Sequence, residues 1–193
     1  MKTTFRLAQT SDAAAIVDIY RPYVENTGIS FEIETPGLNE FTGRMESIQC
    51  EYPYIVCQQG ETISGYAYAH RQGERAAYDW NAELSIYLSP ESHGRGLGRK
   101  LYSILFEILK LQNVQNLYSL ITLPNDKSVN LHESMGFNCL GVHEKTGYKM
   151  GLWRSVAWYG LSLGDHAVNP PPFIPITGLE PQTLAALLAG YSI

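Results

Sequence analysis

The stretch from Leu84 to Leu109, LSIYLSPESHGRGLGRKLYSILFEIL, changes its period halfway. Apolar and polar residues alternate up to Leu88, the pattern of a strand. Leu97, Leu101, Ile104, Leu105 and Ile108 then share one helical face. Between the two lie Gly94, Gly96 and Gly98, interleaved with Arg95 and Arg99. A strand that runs straight into a helix leaves the first helical N–H groups without acceptors, at the positive end of the helix dipole. Glycine admits positive φ and close backbone approach, so the amides from His93 to Gly98 can converge on one anion while Arg95, Arg99 and Lys100 add charge. A Walker A loop would end in GKS or GKT, and GLGRKL does not. A dinucleotide fingerprint would place an acidic residue about twenty positions on, where the chain reads NLYSLI.

The elements around this junction predict an α+β chain. A short strand over Thr4–Ala8 precedes a helix capped by Ser11 or Asp12, with Ile16, Ile19 and Tyr20 on one face. After a break at Gly28, Pro36 and Gly37, a second amphipathic helix carries Leu38, Phe41, Met45 and Ile48. PYIVCQQGETISGYAYAH reads as an antiparallel hairpin about a QGET turn, and the strand Trp80–Leu88 follows. Beyond the glycine helix come a strand LYSLIT, a short helix over Asp126–Met135, and strands near Gly141–Glu144 and Trp153–Leu161. The expected division is a domain over 1–164 and a proline-rich extension over 165–193. That extension runs extended through HAVNPPPFIPITGLE, ends in a short apolar-faced helix, and packs on the domain or on a dimer partner.

With 193 residues, 45% of them hydrophobic, the chain can bury one sizeable core. Its formal net charge of −5 repels nucleic acid, and no Lys/Arg-rich run offers a local exception. No segment is long and apolar enough for a membrane span, and the first residues lack the apolar core of a secretory signal, so a cytoplasmic protein is expected. Cys50, Cys57 and Cys139 form neither a CxxC pair nor a disulfide framework. The histidines His70, His93, His143 and His166 are too scattered for a metal-ligand pattern, and no metal is expected.

HGRGLG resembles the Q/R-x-x-G-x-G/A signature of the GNAT superfamily of acyl-CoA N-acyltransferases, with His93 at the Gln/Arg position. The order of elements is similar as well. AAYDWNAELSIYLSPESHGRGLGRKLYSIL, LPNDKSVNLHESMGF and PPPFIPITGL resemble the phosphinothricin N-acetyltransferase branch, over about Phe5 to Thr177. The resemblance implies the GNAT fold, a central mixed and mostly antiparallel sheet flanked by helices. It also implies acetyl-CoA as cosubstrate, held around Ile86, Tyr87, Leu88, His93, Gly94, Arg95, Gly96, Leu97, Gly98 and Arg99. The implied acceptor is the α-amino group of phosphinothricin, methionine sulfoximine or methionine sulfone, and the branch is commonly a homodimer. Other amines (a polyamine, an antibiotic or a peptide N-terminus) and a non-catalytic acyl-CoA sensor are the alternatives.

Acetyl transfer needs a neutral amine, and near pH 7 a free amino group is mostly protonated, so a base is required. Alternation places Leu84, Ile86 and Leu88 on one face and Glu83, Ser85 and Tyr87 on the other. Glu83 therefore suits the base, and it matches the glutamate proposed as catalytic in the branch. His132, in VNLHESMGF, stands where many GNAT members have a tyrosine, and the resemblance implies a general acid or second base there. A developing oxyanion calls for a donor, which GNAT enzymes supply from an amide freed by splayed strands, here near Ile86 to Leu88. Asn125 and Asn130 are expected beside the coenzyme, where their amides can bond the pantetheine arm; capping of the short helix is the alternative, favoured for Asn125. Around the acceptor the resemblance places Phe31, Arg75 and Tyr78; Arg75 can fork onto a carboxylate or phosphinate.

Overall fold

The computed structural model describes residues 3–192. Seven strands form one sheet in the order β1-β2-β3-β4-β5-β7-β6. These are β1 (Thr3–Leu7), β2 (Tyr54–Gln59), β3 (Thr62–Arg71), β4 (Asn81–Leu88), β5 (Asn116–Leu123), β6 (Asn138–Lys149) and β7 (Leu152–Ser162). Every neighbouring pair is antiparallel except β4 and β5, which run parallel. Helices α1 (Ala13–Glu25) and α2 (Leu38–Gln49) cover one face of the sheet; α3 (Leu97–Leu111) covers the other, with α5 (Pro181–Tyr191) beside it over β1. The short helix α4 (Asp126–Ser134) follows β5.

The periodicity of α3 decides which face it buries. Leu101, Ile104, Leu105 and Ile108 are fully inaccessible, packed with Ala67, Leu84 and Leu117 from the sheet. Each such side chain contributes about 1.5–3 kcal/mol of burial free energy, which anchors the helix whose N-terminus forms the glycine turn. On the other face the second core joins Ile16, Tyr20, Phe41 and Met45 to Tyr54 and Tyr66. Strand β4 serves both: Ala82 and Leu84 enter the α3 core, while Tyr87 meets Tyr20 and Tyr23 edge-on.

The last hairpin is longer than the sequence suggested, with β6 and β7 running through 138–149 and 152–162. Register shifts at Cys139/Gly141 and His143/Gly147 interrupt the alternation, and nearly all of β6 is exposed at the sheet edge, so no buried face marks its length. The segment after β7 crosses the surface without regular structure. Gln112 donates to the Ile174 carbonyl at 2.8 Å and Trp80 Nε1 to the Pro171 carbonyl at 2.7 Å. Ile176, Leu184 and Leu188 then enter the α3 core.

Candidate active site

The pairing of β4 with β5 ends early. It holds at Asn81↔Asn116, Ala82↔Leu117 and Glu83↔Tyr118, after which β4 continues to Leu88 and β5 to Leu123 without pairing. The strands therefore part in a V whose vertex is Glu83. Ser119 Oγ donates across the gap to the Leu84 carbonyl at 3.3 Å. Since alternate residues of a strand turn their N–H and C=O to the same side, Ile86 and Leu88 aim theirs into the gap as well. The Leu88 carbonyl is taken by the Tyr23 hydroxyl at 2.6 Å. The N–H groups of Ile86 and Leu88 are the donors left along the open edge.

A cleft of about 720 Å³ fills this V. Ile86, Tyr87 and Leu88 form one wall, Ser119, Leu120 and Thr122 the other, with Asn125, Ser128 and His132 from α4 and Tyr102 from α3. At its mouth the chain turns through Gly94 (φ 71°) and Gly96 (φ 76°), both in the left-handed region that favours glycine. Gly96 is the N-cap of α3 and no side chain caps the helix, so its first amides are open. Gly98 has a different reason to be glycine: a Cβ there would stand 3.3 Å from Leu131 and 3.5 Å from Ile86. The turn lines the cleft with Gly94, Gly96, Gly98, His93 and Arg99.

His93 lines the cleft with its Nε2 already engaged. Its Nε2 lies 3.0 Å from the Tyr23 hydroxyl, which already donates to Leu88, so His93 donates here and ties the turn to α1. Arg95 reaches out to Gln59 Oε1 at 3.1 Å, Arg99 donates to the Ser134 carbonyl at 3.1 Å, and Leu97 is core. Asn125 caps α4, accepting from Ser128 N–H at 3.3 Å, and lines the cleft; Asn130 is exposed and does not.

The two residues singled out for proton transfer lie on opposite faces of the sheet. Glu83 shares the α1/α2 face with Tyr68 and Ser85, at the vertex, and 3.6 Å from His70 Nε2. His132 is buried on the α3 side. Its Nδ1 sits 2.7 Å from the Ser128 carbonyl, which can only accept, so the proton is on Nδ1; Nε2 then accepts from the Tyr102 hydroxyl at 2.9 Å. Burial lowers the His132 pKa, opposed by the Ser128 carbonyl, and keeps the ring neutral. Burial raises the Tyr102 hydroxyl well above its ordinary range.

On the acceptor side Phe31, in the loop between α1 and α2, packs against Gly147 of β6 and lies outside the cleft lining. That loop is held by Lys149 Nζ, which donates to the Val24 carbonyl at 2.6 Å and the Ser30 carbonyl at 2.7 Å. Thr122 Oγ1 donates to the Ile29 carbonyl at 3.0 Å, and Tyr20 meets Ser30 at 2.6 Å. Arg75 and Tyr78 sit exposed in the loop after β3, outside the cleft lining, with Tyr78 covering Gly73. Tyr23, Tyr102, Ser119, Thr122 and His70 escaped the sequence reading. Each looks like core or an ordinary strand position until the fold places it.

The acetyltransferase (GNAT) domain model matches residues 5–158. The chain belongs to the GNAT family. It is 34% identical to a phosphinothricin N-acetyltransferase of Streptomyces viridochromogenes, covering 89% of this chain and 93% of that one. It is 30% identical to an L-methionine sulfoximine/L-methionine sulfone acetyltransferase of Salmonella typhimurium, covering 85% and 96%. Among solved structures, a GNAT phosphinothricin acetyltransferase from Sinorhizobium meliloti in complex with acetyl-CoA superposes with a TM-score of 0.84 at 34% identity, covering 89% of this chain and 94% of that one. The GNAT fold and N-acetyltransferase chemistry expected from the glycine turn thus hold for this chain. Acetyl-CoA suits the cleft on the cleft's own terms: open amides at a positive-φ turn for a diphosphate, and an unpaired strand edge for an amide-bearing arm.

Proposed function

We propose that this GNAT enzyme acetylates the α-amino group of a small amino-acid analogue of the phosphinothricin, methionine sulfoximine or methionine sulfone kind. The observation that carries this is the split between β4 and β5 with Glu83 at its vertex. The Glu83 carboxylate stands just below the cleft lining, which begins on β4 at Leu84, and this supports a base near the point where an arm lying along β4 would end. Acetyl-CoA supplies the acetyl group. The amides of Gly94 to Arg99 hold its diphosphate, and the Ile86 or Leu88 N–H receives the negative charge that develops on the acetyl oxygen. Glu83 takes the proton from the incoming ammonium, directly or through a water; the freed nitrogen would then bond the acetyl carbon, the C–S bond would break, and the leaving thiolate would take up the second amine proton. His132, engaged at both nitrogens, fixes the Tyr102 hydroxyl in the cleft wall; to give a proton itself it would first have to release Tyr102. Asn125 shapes the α4 end of the cleft and Asn130 stays on the outer face of α4.

On the acceptor side Phe31 is the apolar wall, and Arg75 with Tyr78 forms an exposed rim that meets the acceptor's anionic group. The relatives named for phosphinothricin and methionine sulfoximine support this substrate class. The test mixes protein and acetyl-CoA with each compound and follows free thiol. Release with an amino-acid analogue supports the reading; release only with polyamines or peptide N-termini rejects it.

We also infer a homodimer joined through the β6–β7 hairpin. Leu140, Val142, Tyr148, Met150, Leu152 and Trp153 are all exposed there, Leu140 and Trp153 to 61% and 62%, on an edge strand that invites cover. Sedimentation at micromolar protein tests it, and a monomer overturns it. The three free cysteines suit a reducing compartment, and we place the enzyme in the cytoplasm.

A further inference from the structure

His70 stands next to Glu83 across the β3–β4 pair, and no step of the proposed reaction uses it. Its Nδ1 lies 3.1 Å from the Arg71 carbonyl. A carbonyl accepts only, so Nδ1 carries the proton and the Nε2 lone pair of the neutral ring points at Glu83. The 3.6 Å between Nε2 and Glu83 Oε1 is an ion-pair distance, longer than a hydrogen bond. The His70 side chain is 34% exposed and that of Glu83 22%, so the histidine is the wetter of the two.

We propose that His70 is a positioning residue for Glu83 and the outlet for its proton, rather than a strand filler. The inference rests on Glu83 acting as the base. The acceptor's ammonium N–H breaks, its electron pair stays on nitrogen as the nucleophile, and the proton goes to a Glu83 oxygen. From there it passes to His70 Nε2, and the imidazolium gives a proton to water at its exposed edge. Glu83 returns to the carboxylate without opening the site.

The surroundings favour a proton at Nε2. Burial lowers the His70 pKa, but the Glu83 carboxylate and the Arg71 carbonyl outweigh it and raise it above the ordinary value. Tyr68 on the same strand, with its ring 5.9 Å away, is held neutral by burial. Arg44 from α2 and Glu32 from the α1–α2 loop act on Tyr68 from behind it and form an ion pair at 2.7 Å. Tyr118 on β5 pairs with Glu83 from the other side. Among the described residues Glu83 is therefore the one carboxylate that directly faces the imidazole.

Below its pKa His70 is the cation of a closed pair, and it cannot accept a proton from Glu83. Activity should accordingly rise as pH climbs through the His70 pKa, above 6.5. The experiment has two arms on the full-length protein. Proton NMR titration of the histidines, with His70→Gln to assign the signal, should show His70 titrating above 6.5 and falling by at least about half a unit in Glu83→Gln. The kcat/KM profile should show a limb at the same pH, absent in His70→Gln, with acetyl-CoA affinity unchanged by calorimetry. A His70 titration indifferent to Glu83→Gln, or a limb that persists in His70→Gln, overturns the inference while leaving acetyl transfer intact. A wild-type protein that binds acetyl-CoA and releases thiol with no amine overturns the acetyl-transfer reading and the relay with it.

Discussion

The two sides of the split between β4 and β5 are held together by different means. On the α3 side the site is backbone: open amides at two positive-φ glycines, set by a helix whose apolar face is fully buried. On the α1/α2 side it is made of side chains on loops, tied by Lys149, Thr122 and Tyr20. The difference teaches which half of such a site tolerates change. A backbone cradle survives replacement of its side chains, as His93 shows by bonding Tyr23 while leaving the turn's amides free. A side-chain pocket changes its ligand with each substitution, so the acceptor can differ between relatives that share one coenzyme.

Four substitutions, with Gly98→Ala as a control, probe that contrast in falling order of effect. Glu83→Gln, at the vertex, should lower kcat/KM by about 10²–10⁴-fold and leave acetyl-CoA affinity unchanged, measured by thiol release and calorimetry. A loss of coenzyme affinity of the same size would place Glu83 in the cradle instead. Gly96→Val forces a β-branched residue to φ 76°. A left-handed backbone costs an L residue about 1–2 kcal/mol, so the acetyl-CoA Kd should weaken roughly tenfold. Gly98→Ala, which meets only side chains, is the milder control.

On the other side, Lys149→Met removes two donors from buried carbonyls. Thermal unfolding should show a loss of about 1–3 kcal/mol, and the acceptor KM should rise as the loop carrying Phe31 loosens. Gly147→Ala should act most locally. A methyl there collides with the Phe31 ring, a movable group, so stability should change little while the acceptor KM rises several-fold at constant acetyl-CoA Kd. If Gly147→Ala weakens acetyl-CoA as well, the two halves are coupled and the contrast fails.

The same contrast explains what the sequence disclosed. The glycine turn was legible because only glycine adopts the φ of Gly94 and Gly96 at no cost. The face of Glu83 was legible because alternation in a strand is strict, and Ala82 and Leu84 do enter the core opposite it. Tyr102 was not, since on α3 it reads as one more apolar-face residue; its hydroxyl gains meaning only when α4 brings His132 to 2.9 Å. His70 was equally silent, because cross-strand register is a property of the hairpin and not of a short window. Asn130, on the exposed side of α4, and Arg75, in an exposed loop outside the cleft lining, show the reverse: a motif position marks a place in the chain before it marks a contact.

A crystal structure with acetyl-CoA tests the central claim most directly. The account predicts the diphosphate within hydrogen-bond reach, about 3 Å, of the amides between Gly94 and Arg99, the pantetheine arm along β4, and the thioester at the Glu83 vertex. A coenzyme bound with its thioester away from the β4–β5 split, or with its diphosphate off the glycine turn, would contradict it.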